Sequence, residues 1–428
     1  MTESNKVELF AMQTLIRLVS AGARGENVGN LCVDWAAVLP LAAEQSVPAL
    51  VACALLHSPD LDCPADLREY LLGAMRTESS VNLIRRQRIM RLLAEMREQG
   101  IEARVIKGYA VADCYKYPEC RGSADNDLLV DIRQEDAAIR FLEGKEFKVS
   151  IRGSTSHHSV CQHKKYGMLE LHVALYAELI REIWFRGMRE SDFLCEPFIE
   201  VNGDGGHFTT LGHTDQLIFL TLHMMKHFVA EGLTLRMMLD IALYFSANRQ
   251  WIDADRFWNV MRELRYERLV NCVLWSMVEA GGFGKSEFPG ISRTPPEQIP
   301  FVLTDLLKGG YMGQKEKTER HKSGMEYNRQ LLLREKSQLQ YMLYMLHWKL
   351  RSGLNAMFPT VHQLRKKYSC LDRNKYLLPL IWIWHVLTFP IKNRAKMVPG
   401  RDIRVGKQEK KGVIEQRMTL FKELGMLD

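Results

Sequence analysis

Two aspartates separated by one residue begin an apolar run, in the sequence Asp125-Asn126-Asp127. On a β-strand, residues i and i+2 project from the same face, so both carboxylates would point the same way. Carboxylates that close repel one another unless a cation lies between them. Oxygen ligands suit Mg²⁺, and two such ions can share an aspartate and clamp a transferring phosphoryl group. The spacing therefore predicts a metal site, with a solvated strand end as the alternative.

A third carboxylate comes from the strand-like segment MLELHVAL, which contains Glu170 and His172 on one face. The neighbouring Leu169 and Leu171 predict that the other face packs into the core. A charged residue at position 170 then has two explanations. It is a metal ligand or a catalytic base, or its face of the strand is exposed to solvent.

Upstream, Lys107 and Gly108 follow a short β-like run and precede the helical sequence YAVADCY. Glycine at a strand-to-helix turn lets the backbone approach a phosphate, and the helix N-terminus offers free N–H groups. Lys107 adds a point charge that suits phosphate. Arg121, four residues before Asp125, either holds a phosphate or pairs with an aspartate. Taken together in this order, the Lys-Gly turn, the arginine and the two aspartates predict a phosphate-binding turn beside the metal site.

These residues, in this order, resemble a known family. IKGYAVADCYKYPECRGSADNDLLV, followed by LELHVAL, is similar to the uncharacterised bacterial nucleotidyltransferase family of the polymerase-β-like superfamily. That family shows KG, a Tyr-Pro stretch, Arg, Asp-x-Asp-Leu-Leu-Val and a Glu-x-His strand. DWAAVLPLAAEQSVPALV and LTLHMMKHF with LRMMLDIAL extend the resemblance over roughly residues 30–250. One departure is Asn126, since the residue between the aspartates is normally apolar.

The resemblance implies an α/β (α+β) fold, with a small mixed-sheet nucleotidyltransferase core flanked by N- and C-terminal helical regions. It implies metal-dependent transfer of a nucleoside monophosphate from a nucleoside triphosphate (NTP) to a hydroxyl acceptor. Two Mg²⁺ ions would be held by Asp125, Asp127 and Glu170, which are also the expected catalytic residues. The expected nucleotide-binding residues are Lys107, Gly108, Arg121 and His172. Gly108 takes the position of the superfamily's glycine turn, because Gly122-Ser123 lies too close to Asp125 for a helix to fit between them.

Other functions remain open alongside this one. The chain is alternatively a catalytically inactive nucleotide-binding or scaffold protein on the same core, or a toxin-like transferase that modifies RNA or protein. His223 and His227 lie at i and i+4 on an expected helix, but HMMKH lacks the glutamate of H-E-x-x-H metalloproteases. They serve helix packing, or they face the nucleotide pocket together with Arg236 and Asp240. Asp240 interrupts an apolar face and is expected to pair with a cation.

Apolar spacing predicts the elements that position these side chains. Helices are expected before residue 99, with Asp34 as an N-cap and a helix from Val81 to Gln99, and a long helix is expected from Tyr327 to Leu350. Short strands are expected between them, around residues 101–107, 127–132, 147–151, 158–162 and 168–175. The expected regions are 1–99 (helical), 100–205 (nucleotidyltransferase core), 206–400 (helical) and 401–428 (charged tail).

Composition agrees with an ordinary globular protein. The 428 residues are 46% hydrophobic and 25% charged, which excludes disorder, collagen and simple coiled coil. The net charge of +7 permits an anionic partner without requiring nucleic acid. Nine scattered cysteines with no CxxC pair predict reduced thiols and a cytoplasmic location. The longest apolar run, Leu377 to Ile391, is shorter than the ~20 residues that span a bilayer, so no transmembrane segment is expected.

Overall fold

The computed structural model of the chain describes residues 3–123, 125–152, 156–203, 206–359, 361–364, 368, 370–384 and 407–428. Across these residues one small mixed sheet lies between two groups of helices, in chain order. The predicted fold class, a mixed-sheet core of the α+β type flanked by helices, is therefore confirmed.

The helices before the sheet are α1 (Glu3–Arg24), α2 (Trp35–Glu44), α3 (Pro48–His57) and α4 (Ala65–Glu98). Asp34 is the N-cap of α2, as predicted, because its side chain accepts hydrogen bonds from the backbone N–H groups of Ala36 and Ala37. The predicted start of α4 at Val81 is wrong. The first half of this helix is polar and buries only Leu71 among its described side chains, so it carries little apolar periodicity.

The sheet is built from β1 (Arg104–Val105), β2 (Asp125–Leu129), β3 (Lys148–Ser150), β4 (His158–His163) and β5 (Gly167–His172). The strand order is β1-β2-β5-β4-β3, in which β2 and β5 are parallel and the other pairs are antiparallel. A crossover of more than thirty residues is long enough to make β2 and β5 parallel, and its helix is α6 (Glu135–Gly144). The central pair is therefore formed by the two strands that carry the acidic residues.

The two faces of the sheet have different surroundings. Leu169 and Leu171 are fully buried in a hydrophobic cluster with side chains of α4 and α6. Glu170 and His172 project from the opposite face, because side chains alternate along a strand. The core-facing alternation predicted for this strand is what the structure contains. This polar face of the sheet, which carries Glu170 and His172, borders a cavity.

Short elements surround the sheet. They are α5 (Tyr109–Ala112), α7 (Glu178–Trp184) and a second hairpin made of β6 (Ile199–Gly203) and β7 (Gly206–Thr210). The hairpin packs on β1, and Thr210 donates a hydrogen bond of 2.5 Å to the carbonyl oxygen of Val105. This contact fixes the edge strand that leads into the Lys107-Gly108 turn.

The helices after the sheet are α8 (His213–Ala230), α9 (Leu235–Asn248), α10 (Ala254–Glu263), α11 (Glu267–Glu279), α12 (Ile299–Gly309), α13 (Lys317–Glu335), α14 (Gln338–Met357), α15 (Val361–Leu364), α16 (Cys370–Arg373) and α17 (Lys407–Glu423). The single helix predicted from Tyr327 to Leu350 is wrong. The backbone becomes extended at Lys336, and Ser337 caps α14 through a reciprocal pair of hydrogen bonds with Gln340.

The segment predicted as a charged tail differs from that expectation where the structure describes it. Helix α17 packs against α13, and Phe421 and Met426 are fully buried. Met418, Leu420 and Phe421 of this helix are buried although most of its other residues are charged or polar, so composition alone did not indicate that the segment packs. Residues 401–406 lie outside the described part of the chain. The boundaries of the four regions stay a prediction.

The helical groups before and after the sheet share one hydrophobic cluster, in which α1 packs against α12. All nine cysteines are free thiols. In the described ranges, every helix is too short or too polar to cross a membrane. Of the apolar run 377–391, residues 385–391 are not described, and Leu380, Ile383 and Trp384 are exposed.

Candidate active site

The parallel pairing of β2 and β5 brings the acidic residues together. Asp127 lies directly opposite Glu170, and Asp125 is two residues earlier on the same face of β2. His172 is two residues beyond Glu170 on that face. All four side chains border one cavity of about 340 Å³. The predicted common orientation of the two aspartates is therefore what the strand geometry gives.

Asp127 is buried, at 3% exposure, and has two cationic or donor partners. Its Oδ1 lies 2.8 Å from Nζ of Lys107 and 3.1 Å from Nε2 of His172. Burial alone would raise the pKa of this carboxyl. The positive charge of Lys107 and the hydrogen bond from His172 outweigh burial and hold its pKa well below the usual range. Asp127 is therefore ionised at neutral pH.

His172 joins the two acidic strands. Its Nε2 lies 3.1 Å from Oδ1 of Asp127 and 3.3 Å from Oε2 of Glu170. Burial would lower the pKa of His172, but the hydrogen bonds to both carboxylates raise it above its ordinary value. The hydrogen bond from His172 in turn lowers the pKa of Glu170. The other ring nitrogen of His172, Nδ1, is buried and has no hydrogen-bond partner among the described residues.

The Lys107-Gly108 turn borders the same cavity. Gly108 has φ 57° and ψ −99°, in which an L side chain is strained. A Cβ atom at this position would meet no atom within 4 Å, so the backbone conformation alone demands glycine. The helix that follows, α5, ends at Ala112 and is shorter than the predicted YAVADCY helix.

Arg121 adopts the second of its two predicted roles. Its Nε and Nη2 each donate to one carboxylate oxygen of Asp240 on α9, both at 2.7 Å. The hydroxyl of Tyr115 donates to the same carboxylate at 2.7 Å. Burial opposes the charge of Arg121, but Asp240 raises its pKa further above the ordinary value. The cation expected beside Asp240 is thus Arg121, and the pair joins the core to the C-terminal helices.

The seven predicted site residues all line this cavity: Lys107, Gly108, Arg121, Asp125, Asp127, Glu170 and His172. Helices α8 and α9 also line the cavity, and α8 adds one cationic group that the sequence did not single out, Lys226. Burial lowers the pKa of Lys226. The signal that was available is a lysine between two histidines in a sequence that is otherwise largely apolar, LTLHMMKHF.

His223 and His227 also border the cavity, together with Arg236 and Asp240, which is the second of their two predicted settings. Their Nε2 atoms lie 3.1 Å apart, so the two rings contact each other as well. Nδ1 of His227 lies 2.8 Å from Oε2 of Glu231, a partner that the sequence pattern did not single out. Glu231 follows His227 by four residues, which is the helical spacing that brings such side chains together.

Asn126, the departure from the family pattern, is buried on the other face of β2. Its Nδ2 donates to the carbonyl oxygen of Met168 at 3.3 Å. A buried amide needs such partners, so the neighbouring strand accommodates the polar side chain without disturbing the two aspartates.

Two groups of three side chains in the described ranges bring ligand atoms within 4.8 Å of one another. One group is Asp127, Glu170 and His172, and the other is His157, His158 and His172. In the first group, two carboxylates lie in a cavity that also contains the carboxylate of Asp125. Carboxylate oxygens are the ligands that Mg²⁺ prefers, so this donor set fits the expected ion.

Comparisons with known proteins give one substantial match. The model of a family described as uncharacterised nucleotidyltransferase matches residues 32–280, more than half of the 428 residues. No curated protein matches the chain. Among solved structures, a tRNA-processing enzyme (apo form I) is 13% identical, with 84% of this chain and 99% of that chain covered, at a TM-score of 0.21. A likeness that weak carries no conclusion about fold or function.

Proposed function

Because the chain belongs to the uncharacterised nucleotidyltransferase family, as its resemblance predicted, we propose that it transfers a nucleoside monophosphate from an NTP to a hydroxyl acceptor. The observation that carries this proposal is the pairing of Asp127 with Glu170 across two parallel strands, with Asp125 on the same face. These three carboxylates share a cavity with the Lys107-Gly108 turn. Carboxylates that can hold metal ions, in one cavity with groups that can bind phosphate, are what metal-assisted nucleotidyl transfer requires.

In this proposal Asp125, Asp127 and Glu170 hold two Mg²⁺ ions. Bound there, the ions would neutralise negative charge on the phosphates. The support is chemical, since the lowered pKa values of Asp127 and Glu170 keep both carboxylates ionised at neutral pH. His172 orients both carboxylates through Nε2 and lines the same cavity as the proposed triphosphate-binding residues.

The triphosphate is assigned to the cationic side of the cavity. The ammonium of Lys107 and the backbone at Gly108 would bind the β- and γ-phosphates, because both face the cavity beside the carboxylates. Lys226 on α8 and Arg236 on α9 also line the cavity and add positive charge. Arg121 is proposed as a positioning residue, since its two hydrogen bonds hold its guanidinium group against Asp240.

In the transfer step, the acceptor oxygen forms a bond to the α-phosphorus and the bond from that phosphorus to the bridging oxygen breaks. Pyrophosphate leaves with the electron pair. The hydroxyl proton must pass to a base, and the ionised carboxylate of Glu170 is the group proposed to accept it. Positioning and charge neutralisation supply most of the catalysis in reactions of this class.

The test uses α-labelled ATP, GTP, CTP and UTP with the full chain, Mg²⁺ and a deproteinised cell extract as the acceptor source. Release of pyrophosphate and transfer of the label are measured together. We expect Asp125→Asn to lower both by roughly 100-fold or more, the effect of losing one charge-stabilising group. Asp255→Asn, an exposed aspartate on α10, is the control and should behave as the wild type. Binding of NTP without turnover would instead favour the inactive nucleotide-binding protein.

A further inference from the structure

Three histidines form a compact group beside the proposed magnesium ligands. His158 is the first residue of β4 and lies directly opposite His172, the last residue of β5, while His157 immediately precedes β4. The ring centroids are 4.6 Å apart for His157 and His158, 5.2 Å for His157 and His172, and 5.0 Å for His158 and His172. One ring nitrogen from each histidine lies within 4.8 Å of the other two.

Hydrogen bonding within the group does not account for this arrangement. Nδ1 of His158 and Nε2 of His157 are 3.5 Å apart, at the outer limit of a hydrogen bond. Nδ1 of His172 is buried and has no partner among the described residues, while the residue as a whole is only 3% exposed. A buried ring nitrogen without a partner costs free energy unless something else satisfies it. A metal ion bound at this nitrogen would remove that cost.

The donor type indicates which ligand. Imidazole nitrogens bind Zn²⁺, Co²⁺, Ni²⁺ and Cu²⁺ well, whereas Mg²⁺ prefers oxygen. Metal-binding histidines usually have carboxylates as outer partners, and here Glu170 lies 3.8 Å from Nε2 of His158 and 3.3 Å from Nε2 of His172. Lys107 and Lys226 on the cavity wall oppose a cation, and the carboxylates of Asp127 and Glu170 offset them.

We propose that His157, His158 and His172 form a site for a divalent ion of the Zn²⁺ class, next to the carboxylates and distinct from the magnesium ligands. Three histidines with an open fourth position are a usual coordination for Zn²⁺. The site goes beyond the proposed function, because the three rings bind such an ion whether or not the carboxylates take part in nucleotidyl transfer.

The experiment is a titration of EDTA-treated, full-length protein with Co²⁺, followed by the visible absorption of the bound ion, in the presence of excess Mg²⁺. The wild type should bind one Co²⁺ ion that Mg²⁺ does not displace, and Zn²⁺ should displace it. We expect His157→Ala and His158→Ala each to weaken Co²⁺ binding by at least about tenfold. His321→Ala, an exposed histidine on α13, is the matched control and should bind as the wild type.

Three results would contradict the proposed histidine site. They are the absence of a protein-dependent Co²⁺ band, a band that survives both histidine substitutions, and a band that Mg²⁺ removes. Far-ultraviolet circular dichroism checks the fold of each variant, and the glutamine substitution replaces any alanine variant that loses helical signal. Asp125→Asn separates this site from the proposed reaction, since it should lower transfer by roughly 100-fold or more and leave the Co²⁺ band unchanged.

Discussion

The ammonium of Lys107 lies 2.8 Å from Oδ1 of Asp127, in the cavity formed by the sheet and α8. The cation assigned to phosphate and the carboxylate assigned to metal are thus in contact. Burial of Asp127 is tolerated because Lys107 and His172 supply positive charge and hydrogen bonds on the same oxygen. The Lys107-Gly108 turn and the acidic strands therefore form one electrostatic unit.

Replacing Lys107 with glutamine should weaken NTP binding. The substitution removes a positive charge that faces the proposed triphosphate and leaves a side chain of similar length. We expect the dissociation constant, measured by isothermal titration calorimetry with Mg²⁺ present, to rise by about tenfold, or ~1.4 kcal/mol. Lys145→Gln is the control, because that ammonium pairs with Glu95 away from the cavity. Equal affinities for both variants would remove Lys107 from the phosphate site.

The stabilising effect of His172 should depend on pH with a definite sign. Its folded-state pKa is raised, so its contribution is complete below the unfolded value of about 6.5 and is lost as pH rises through the folded value. The lowered pKa values of Asp127 and Glu170 have the opposite effect. These carboxylates stabilise the folded state above about pH 4, and that stabilisation is lost as the pH falls further. The network therefore stabilises most between these limits.

Urea unfolding at a series of pH values tests this window with His172→Gln. The loss in free energy of unfolding relative to the wild type should be largest near pH 5–6 and should shrink toward pH 9. His321→Gln provides the control, because that histidine is exposed on α13. A difference that grows as the pH is raised would contradict the assigned ion pairs.

Asp240→Asn should destabilise the protein strongly. The substitution leaves the buried guanidinium of Arg121 without its carboxylate partner, a change that typically costs about 3–5 kcal/mol. Glu326→Gln breaks the surface pair with Arg329 and should cost no more than about 1 kcal/mol. Urea unfolding at neutral pH measures both. Similar small costs would mean that Arg121 is not held by Asp240.

Alanine substitutions at two uncrowded glycines should have opposite effects. At Gly108 the left-handed φ makes a Cβ unfavourable, so Gly108→Ala should destabilise by about 1–2 kcal/mol. At Gly353, inside α14, a Cβ meets no atom within 4 Å, so Gly353→Ala should stabilise by about 0.5–1 kcal/mol. Thermal unfolding compares the two. The same sign in both variants would show that backbone conformation at position 108 is not limiting.

Local geometry explains what the sequence could predict. The two-residue period of a strand places Asp125 and Asp127 on one face of their strand, and Glu170 and His172 on one face of theirs. This holds whichever strands pair with each other. The N-cap at Asp34 likewise depends on a few neighbouring residues. The order of strands is different, because the parallel pairing of β2 with β5 is decided by tertiary packing and could not be read from either segment.

Contacts over long sequence separations account for most of what was missed. Arg121 and Asp240 are 119 residues apart, and each had several possible partners in the sequence. Lys226 borders the cavity only because the tertiary fold brings α8 to the same cavity as the sheet. The break in the helix at Lys336 was not predicted because apolar residues continue at helical spacing on both sides of it. Ser337 and Gln340 nevertheless have the spacing of a capping box, which indicates a helix start.

The most direct measurement is a crystal structure of the full chain with a non-hydrolysable NTP and Mn²⁺, whose anomalous scattering locates the ions. The account predicts Mn²⁺ bound by Asp125 and Asp127, with Glu170 completing the set and the triphosphate beside Lys107 and Gly108. A nucleotide bound outside this cavity, or anomalous peaks that touch neither aspartate, would contradict it.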